Sequence, residues 1–166
     1  MQHERTHWRS FEQPYAVTHQ PLGVQMATRR EWVIASDIQH IEPLVSEVIN
    51  LCLEAGLSPR ACRLNIPVAL TEALSNAIVC GNREDVRRPV TTCFVLDHEA
   101  LTLEITDDGD GFDASCVSFS PEDADWLHRE DGRGLFLMRS LMDRVELQRP
   151  SLSKPGHTVR LVLNRA

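Results

Sequence analysis

Lysine is almost missing from this chain: sixteen of its seventeen basic residues are arginine, and the exception is Lys154. A Walker A loop ends in Gly-Lys-Ser/Thr, and a eukaryotic-type protein kinase sets a strand lysine on its phosphates, so neither grip can be built here. His128-Arg129-Glu130-Asp131 looks like a kinase catalytic loop, but without that lysine the likeness is a coincidence. Cys-x-x-Cys spacing is also absent. The five cysteines (Cys52, Cys62, Cys80, Cys93 and Cys116) are odd in number, which argues against a disulfide framework and against a zinc site. No apolar run reaches the roughly 18 residues of a membrane span, and the start Met1-Gln2-His3-Glu4-Arg5 lacks a signal peptide's apolar centre. The expectation is a soluble protein of a reducing compartment, hence cytoplasmic, with no membrane contact. A net charge of -7 leaves no general basic face, which disfavours nucleic acid as a direct partner. Any anionic ligand has to be met locally.

What is present fits one domain with one core in 166 residues. Residues 1–25 are polar and without sustained period, so they are expected to be a flexible tail, although Trp8, Phe11 and Tyr15 leave a packing or partner role open. Residues 26–166 form the single domain. Arg29 to Ala35 predicts a strand. Ser36 or Asp37 then caps a helix running to about Glu54, with Ile38, Ile41, Leu44, Val45, Val48, Leu51 and Cys52 as its apolar stripe and Gly56 as its stop. Ser58-Pro59 opens a second helix that ends at Gly81, with a kink or a junction expected near Pro67. Val90 to Asp97 and Leu101 to Thr106 are strands joined by a turn at His98-Glu99-Ala100. A helix opens at Gly132-Arg133-Gly134 and carries Leu135, Met138, Leu141 and Met142 on one side. Strands Arg144 to Arg149 and His157 to Leu163 complete the sheet.

Three places in that outline carry polar groups where packing alone would not put them. Glu72 and Asn76 are four residues apart on the second helix and therefore stack on one face. A wheel walls the pair with Val68 and Val79 on one side and with Ala69, Ala73, Ala77 and Cys80 on the other, leaving Thr71, Ser75 and Asn82 for solvent. Asp107 continues the alternation of Leu101, Leu103 and Ile105 and so points inward at the end of its strand. There a carboxylate can accept a hydrogen bond from an exocyclic amine such as adenine's, and Gly109 and Gly111 permit a close approach of ligand to backbone. A plain acidic turn fits the same residues. Calcium fits less well, because no glutamate follows at EF-hand spacing. Finally, residues 113–131 lack a clear period, as a lid would, and Gly132 and Gly134 open the next helix with free N–H groups able to bind an anion without lysine. Arg129 and Arg133 fit either a phosphate contact or a solvated surface.

The ordered set E-x-x-x-N on a helix, D-x-G-x-G-F-D after a strand and G-x-G-L opening a helix resembles the GHKL ATPase superfamily over about Arg29 to Asn164. The Glu72-Ala73-Leu74-Ser75-Asn76-Ala77 wording and the Gly132-Arg133-Gly134-Leu135 box are most similar to bacterial anti-sigma factor serine/threonine kinases. The resemblance implies a Bergerat fold: a two-layer α/β (α+β) sandwich whose mixed, mostly antiparallel sheet is covered on one face by helices. It implies ATP and Mg2+ as cofactors, with Asn76 coordinating the metal and Glu72 as general base toward a hydroxyl or water. It also implies Asp107 on the adenine amine, Gly109 and Gly111 shaping the base pocket, and Gly132, Arg133, Gly134 and Leu135 wrapping the phosphates.

The implied substrate is a serine or threonine on an anti-anti-sigma (STAS-type) protein. A sigma factor or other output protein would be the second partner, and a homodimer the assembly. A nucleotide-responsive adaptor and a plain ATPase are the alternatives. Two positions depart from the family's wording. Cys80 stands where histidine is common, and His157 separates Gly156 from Thr158 where the family has Gly-Thr supporting adenine.

Overall fold

Alternation of apolar and polar residues sets the sheet. In the computed structural model, which describes residues 27–109, 133–149 and 156–165 and a short strand at Arg9–Ser10 (β1), the further strands are β2 (Thr28–Ala35), β3 (Pro89–Leu96), β4 (Ala100–Asp107), β5 (Arg144–Gln148) and β6 (His157–Asn164). They lie in the order β1-β2-β3-β4-β6-β5, and the sheet expected to be mixed is antiparallel at every described pairing. On β4 every second residue from Leu101 to Asp107 is buried, so the period-2 pattern places one face against the helices. The β3–β4 turn is held by Asp97, whose carboxylate accepts the Glu99 and Ala100 N–H groups at 2.8 and 2.9 Å.

Helices cover the inner face. Asp37 accepts the Gln39 N–H at 2.9 Å and starts a short 3-10 turn that leads into α1 (Ile41–Glu54). Gly56 ends that helix with φ +74, a left-handed conformation in which glycine carries no Cβ penalty. Ser58 caps the next segment through the Ala61 N–H at 3.2 Å. Near Pro67, where the sequence predicts a kink or a junction of two helices, the helix runs on, but its regular ladder changes, because proline has no N–H and its ring crowds the preceding turn. The relief is a π turn over Ala61–Asn65, in which the Ile66 N–H reaches back to the Ala61 carbonyl, followed by α2 (Ile66–Ser75). A second π turn, Asn76–Gly81, closes the helix. α3 (Arg133–Leu141) packs on α2.

Between the layers lies one core. Trp32 and Phe94, both fully buried, meet edge to face at 6.3 Å, and the Trp32 indole N–H finds Glu47 at 2.9 Å. From α2 and its flanking turns, Ile66, Leu70, Leu74 and Ile78 are fully buried. The continuous helix Ala61–Gly81 is 21 residues long and contains an 18-residue window of mean hydropathy 1.3, enough by length and composition to cross a membrane, although Arg63, Asn65, Glu72 and Asn76 interrupt any apolar run. Ile66, Leu70, Leu74 and Ile78 of this helix are nevertheless buried in the core, while Leu64 and Val79 stay exposed. Apart from β1, the tail assigned to residues 1–25 lies outside the described residues.

Candidate functional site

Glu72 and Asn76 project from consecutive turns of the same helix, both half-buried, with Ala69, Ala73 and Ala77 buried beside them. Gly134, in the first turn of α3, packs directly on the pair. A methyl group at that position would lie 2.6 Å from Glu72 Oε2 and 3.5 Å from Asn76 Nδ2, so a larger residue here would push the Glu72 carboxylate aside. Arg133 is exposed beside it, whereas Leu135 is buried. Gly111, Gly132 and Arg129 lie outside the described residues.

Asp107 sits at the inner end of β4, 7% exposed, as the strand phase predicts. Burial pushes its carboxyl above the ordinary carboxylate range, opposed by the Gly109 N–H and the neighbouring His157. The Gly109 N–H donates to Asp107 Oδ1 at 2.9 Å. Gly81 abuts the carboxylate from the helix side, and a methyl there would lie 2.5 Å from Asp107 Cγ. Gly81 thus serves a different purpose from the left-handed helix stop that its position suggests. Just beyond this helix the left-handed residues are Arg83 and Glu84, both at φ 55. On β6, His157 lies opposite Asp107 in the ladder, and the buried Thr158 hydroxyl pairs with that of Thr106 at 2.8 Å.

These elements enclose a cavity of about 270 Å³ lined by Asn76, Asp107, Leu135, Met138, His157 and Thr158, among others. The helix, the strand end and the opening of α3, far apart in sequence, therefore meet at one place. Glu72 does not line the cavity; it lies one turn away, against Gly134. Pockets for whole small ligands start at about 300 Å³, so this volume suits a heterocyclic base, with the rest of a nucleotide extending past it. A carboxyl acceptor at the floor and apolar walls of Leu135 and Met138 suit a flat ring bearing an amine. Among the described residues, no group of three or more His, Cys, Asp or Glu side chains could hold a metal ion. A cation here would be held by the Asn76 oxygen and by oxygens of the ligand and water, as is usual for magnesium on phosphates.

Sequence reasoning missed Asn82. Assigned to the solvent face, it is 1% exposed, and its side chain joins four groups: it donates to Ser36 Oγ and the Arg88 and Pro89 carbonyls and accepts the Asp108 N–H. Val79 and Cys80, expected to wall the Glu72–Asn76 pair, are exposed instead. Both corrections have one cause. In the π turn the Asn82 N–H reaches back five residues to the Ala77 carbonyl at 2.8 Å, so the wheel of a regular helix slips out of phase after Asn76.

A family model for the histidine kinase-like ATPase domain matches residues 34–163, the span from the end of β2 through β6. The chain belongs to this family. Among curated relatives of this ATPase-domain protein, the serine-protein kinase RsbW of Bacillus licheniformis is 32% identical over 89 residues, covering 51% of this chain and 56% of the relative. The anti-sigma F factor of Clostridium acetobutylicum is 28% identical over 105 residues, 61% of this chain and 68% of that one. The serine-protein kinase RsbW of Listeria monocytogenes is 25% identical over 138 residues, 80% of this chain and 82% of that one. The match to the first of these relatives spans little more than half its length.

Proposed function

We propose that this histidine kinase-like ATPase domain binds Mg-ATP in the cavity between the site helix, the end of β4 and α3, and phosphorylates a serine or threonine on an anti-anti-sigma (STAS-type) protein. The observation that carries the reading is the convergence of Asn76, Asp107 and Leu135 on one cavity, with Glu72 a single helical turn from Asn76. Asp107 accepts the adenine amine, and the Gly109 N–H fixes the carboxylate that does so. Asn76 holds magnesium, which when bound offsets the triphosphate charge. Glu72 takes the proton of the attacking hydroxyl. Gly134 keeps the start of α3 against these two side chains, and with Gly132, Arg133 and Leu135 it borders the phosphates. Gly111 completes the base pocket. In a partner exchange of this kind, the nucleotide and the phosphorylation state of the STAS protein shift the population bound to a sigma factor or other output protein. RsbW and anti-sigma F factor relatives support that role.

The test is incubation of the full chain with γ-labelled ATP, magnesium and STAS candidates from the native host. Label on a serine or threonine of one candidate is the expected result. ATP binding without transfer to any candidate refutes kinase action.

One observation favours a second reading, a nucleotide-responsive adaptor that transfers nothing: the Glu72 carboxylate is packed by Gly134 and does not line the cavity. On that reading the carboxylate only anchors α3.

A further inference from the structure

A buried carboxamide with every polar atom engaged is expensive to place and specifies one arrangement of its neighbours. Asn82 is such a group, and it stands where three segments of the fold cross. Its Nδ2 lies 2.8 Å from Ser36 Oγ at the end of β2 and 3.2 and 3.1 Å from the Arg88 and Pro89 carbonyls at the start of β3. The Ser36 hydroxyl in turn donates to the Arg88 carbonyl at 2.7 Å. On its other side Asn82 Oδ1 accepts the Asp108 N–H at 3.0 Å. Its own N–H closes the π turn that ends the site helix.

The turn that carries Asp107 is thus pinned at two points. Inside the turn, the Gly109 N–H holds Asp107 Oδ1; outside it, Asn82 holds the Asp108 N–H. Beside this pin Gly81 and Gly109 are in direct contact: a methyl on Gly109 would overlap the Gly81 carbonyl, and one on Gly81 would overlap the Asp107 carboxylate. Without Asn82 Oδ1, no described hydrogen bond ties Asp108 to the helix end, and the Asp108–Gly109 turn whose N–H orients the Asp107 carboxylate loses its outer anchor.

We propose that Asn82 is a positioning residue for base recognition: its carboxamide locks the Asp107–Gly109 turn to the end of the site helix and so fixes the carboxylate that selects an amino-bearing purine. This rests on the cavity being the adenine site. Its signature is selectivity. ADP offers Asp107 an amine, whereas IDP offers a carbonyl oxygen at the same position, and a hydrogen bond to a charged group separates such ligands by roughly tenfold to a hundredfold.

The experiment measures ADP and IDP affinities by titration calorimetry for the wild-type chain, Asn82→Ser, Asn82→Asp and Ser36→Ala, with urea unfolding of each. Asn82→Ser, too short to reach Asp108, is expected to lose about tenfold of the ADP preference. Asn82→Asp keeps the acceptor for Asp108 and is expected to hold the preference despite lower stability, and Ser36→Ala likewise. A preference unchanged in Asn82→Ser, or one that simply follows stability across the three variants, overturns the proposal. Because position 82 variants can fail to fold, amide exchange of the wild type is read as well. At equal saturation, ADP is expected to slow Asp108 exchange about tenfold more than IDP, and equal slowing overturns the proposal. A wild type that binds neither nucleotide refutes the adenine site itself, a result distinct from either of these.

Discussion

Gly81→Ala separates a glycine kept for space from one kept for backbone conformation. The added methyl would lie 2.5, 2.7 and 2.8 Å from Asp107 Cγ, Oδ1 and Oδ2, against an optimal contact of about 3.5–4.0 Å, so the carboxylate has to move by about 1 Å. It has little room to do so. The Gly109 N–H holds Oδ1 at 2.9 Å, and Gly156, at φ +86, lies tight against the Asp107 carbonyl behind it. Two effects oppose each other in stability. Overpacking costs about 1–3 kcal/mol, while alanine replacing glycine in a helix returns about 1 kcal/mol, so the net loss is about 0–2 kcal/mol and a weak readout. Binding has no such compensation. A displaced carboxylate forfeits a hydrogen bond to a charged group worth about 1.5–3 kcal/mol, or roughly tenfold to a hundredfold in ADP affinity. Calorimetric titration with ADP measures it, with urea unfolding as the control. Affinity within threefold of wild type would refute the claim that Gly81 sets the position of Asp107.

Glu72→Gln preserves shape and removes the base, so phosphoryl transfer should fall by roughly 10²–10⁴ with ADP affinity within about threefold of wild type. Partner regulation left intact by that change, followed by pull-down of the output protein, would favour the adaptor. Asp107→Asn should unfold at no lower urea concentration than wild type at pH 7 while losing the ADP preference, because it removes a buried charge and keeps the acceptor for the Gly109 N–H. The pH dependence has a definite sign. Burial raises the Asp107 pKa in the folded state, so the fold binds a proton that the unfolded chain has already released. The contribution of this group to stability is therefore lost as pH rises from the unfolded value near 3.9 through the raised one. Urea midpoints taken across that range should lose this slope in Asp107→Asn; an unchanged slope would place its origin elsewhere. Gly56→Ala, with nothing within 4 Å of the new methyl but φ at +74, should cost about 1 kcal/mol in unfolding and leave ADP binding unchanged.

The sequence by itself determined the elements and their inner faces. Its alternation from Leu101 to Asp107 is enough to turn the Asp107 carboxylate inward, since a strand has only two faces and the phase is carried by the residues themselves. Capping residues Asp37 and Ser58 and the stop at Gly56 are likewise local, each decided by a hydrogen bond or a φ angle within a few residues. The E-x-x-x-N spacing put Glu72 and Asn76 on one face because the Asn76 N–H still reaches back four residues to the Glu72 carbonyl, at the point where the π turn begins. Beyond Asn76 the tertiary structure decided. The π turn rotated Asn82 into the interior and Val79 and Cys80 out of it, a change that no helical wheel encodes because it depends on which backbone carbonyl the Asn82 N–H finds. Glycines 81, 109 and 134 acquire their purpose only from what lies opposite them: the Asp107 carboxylate, the Gly81 carbonyl and the Glu72 carboxylate. Steric exclusion between segments distant in the chain is invisible to local pattern, and at this site it sets how closely the helix, the strand end and α3 can meet.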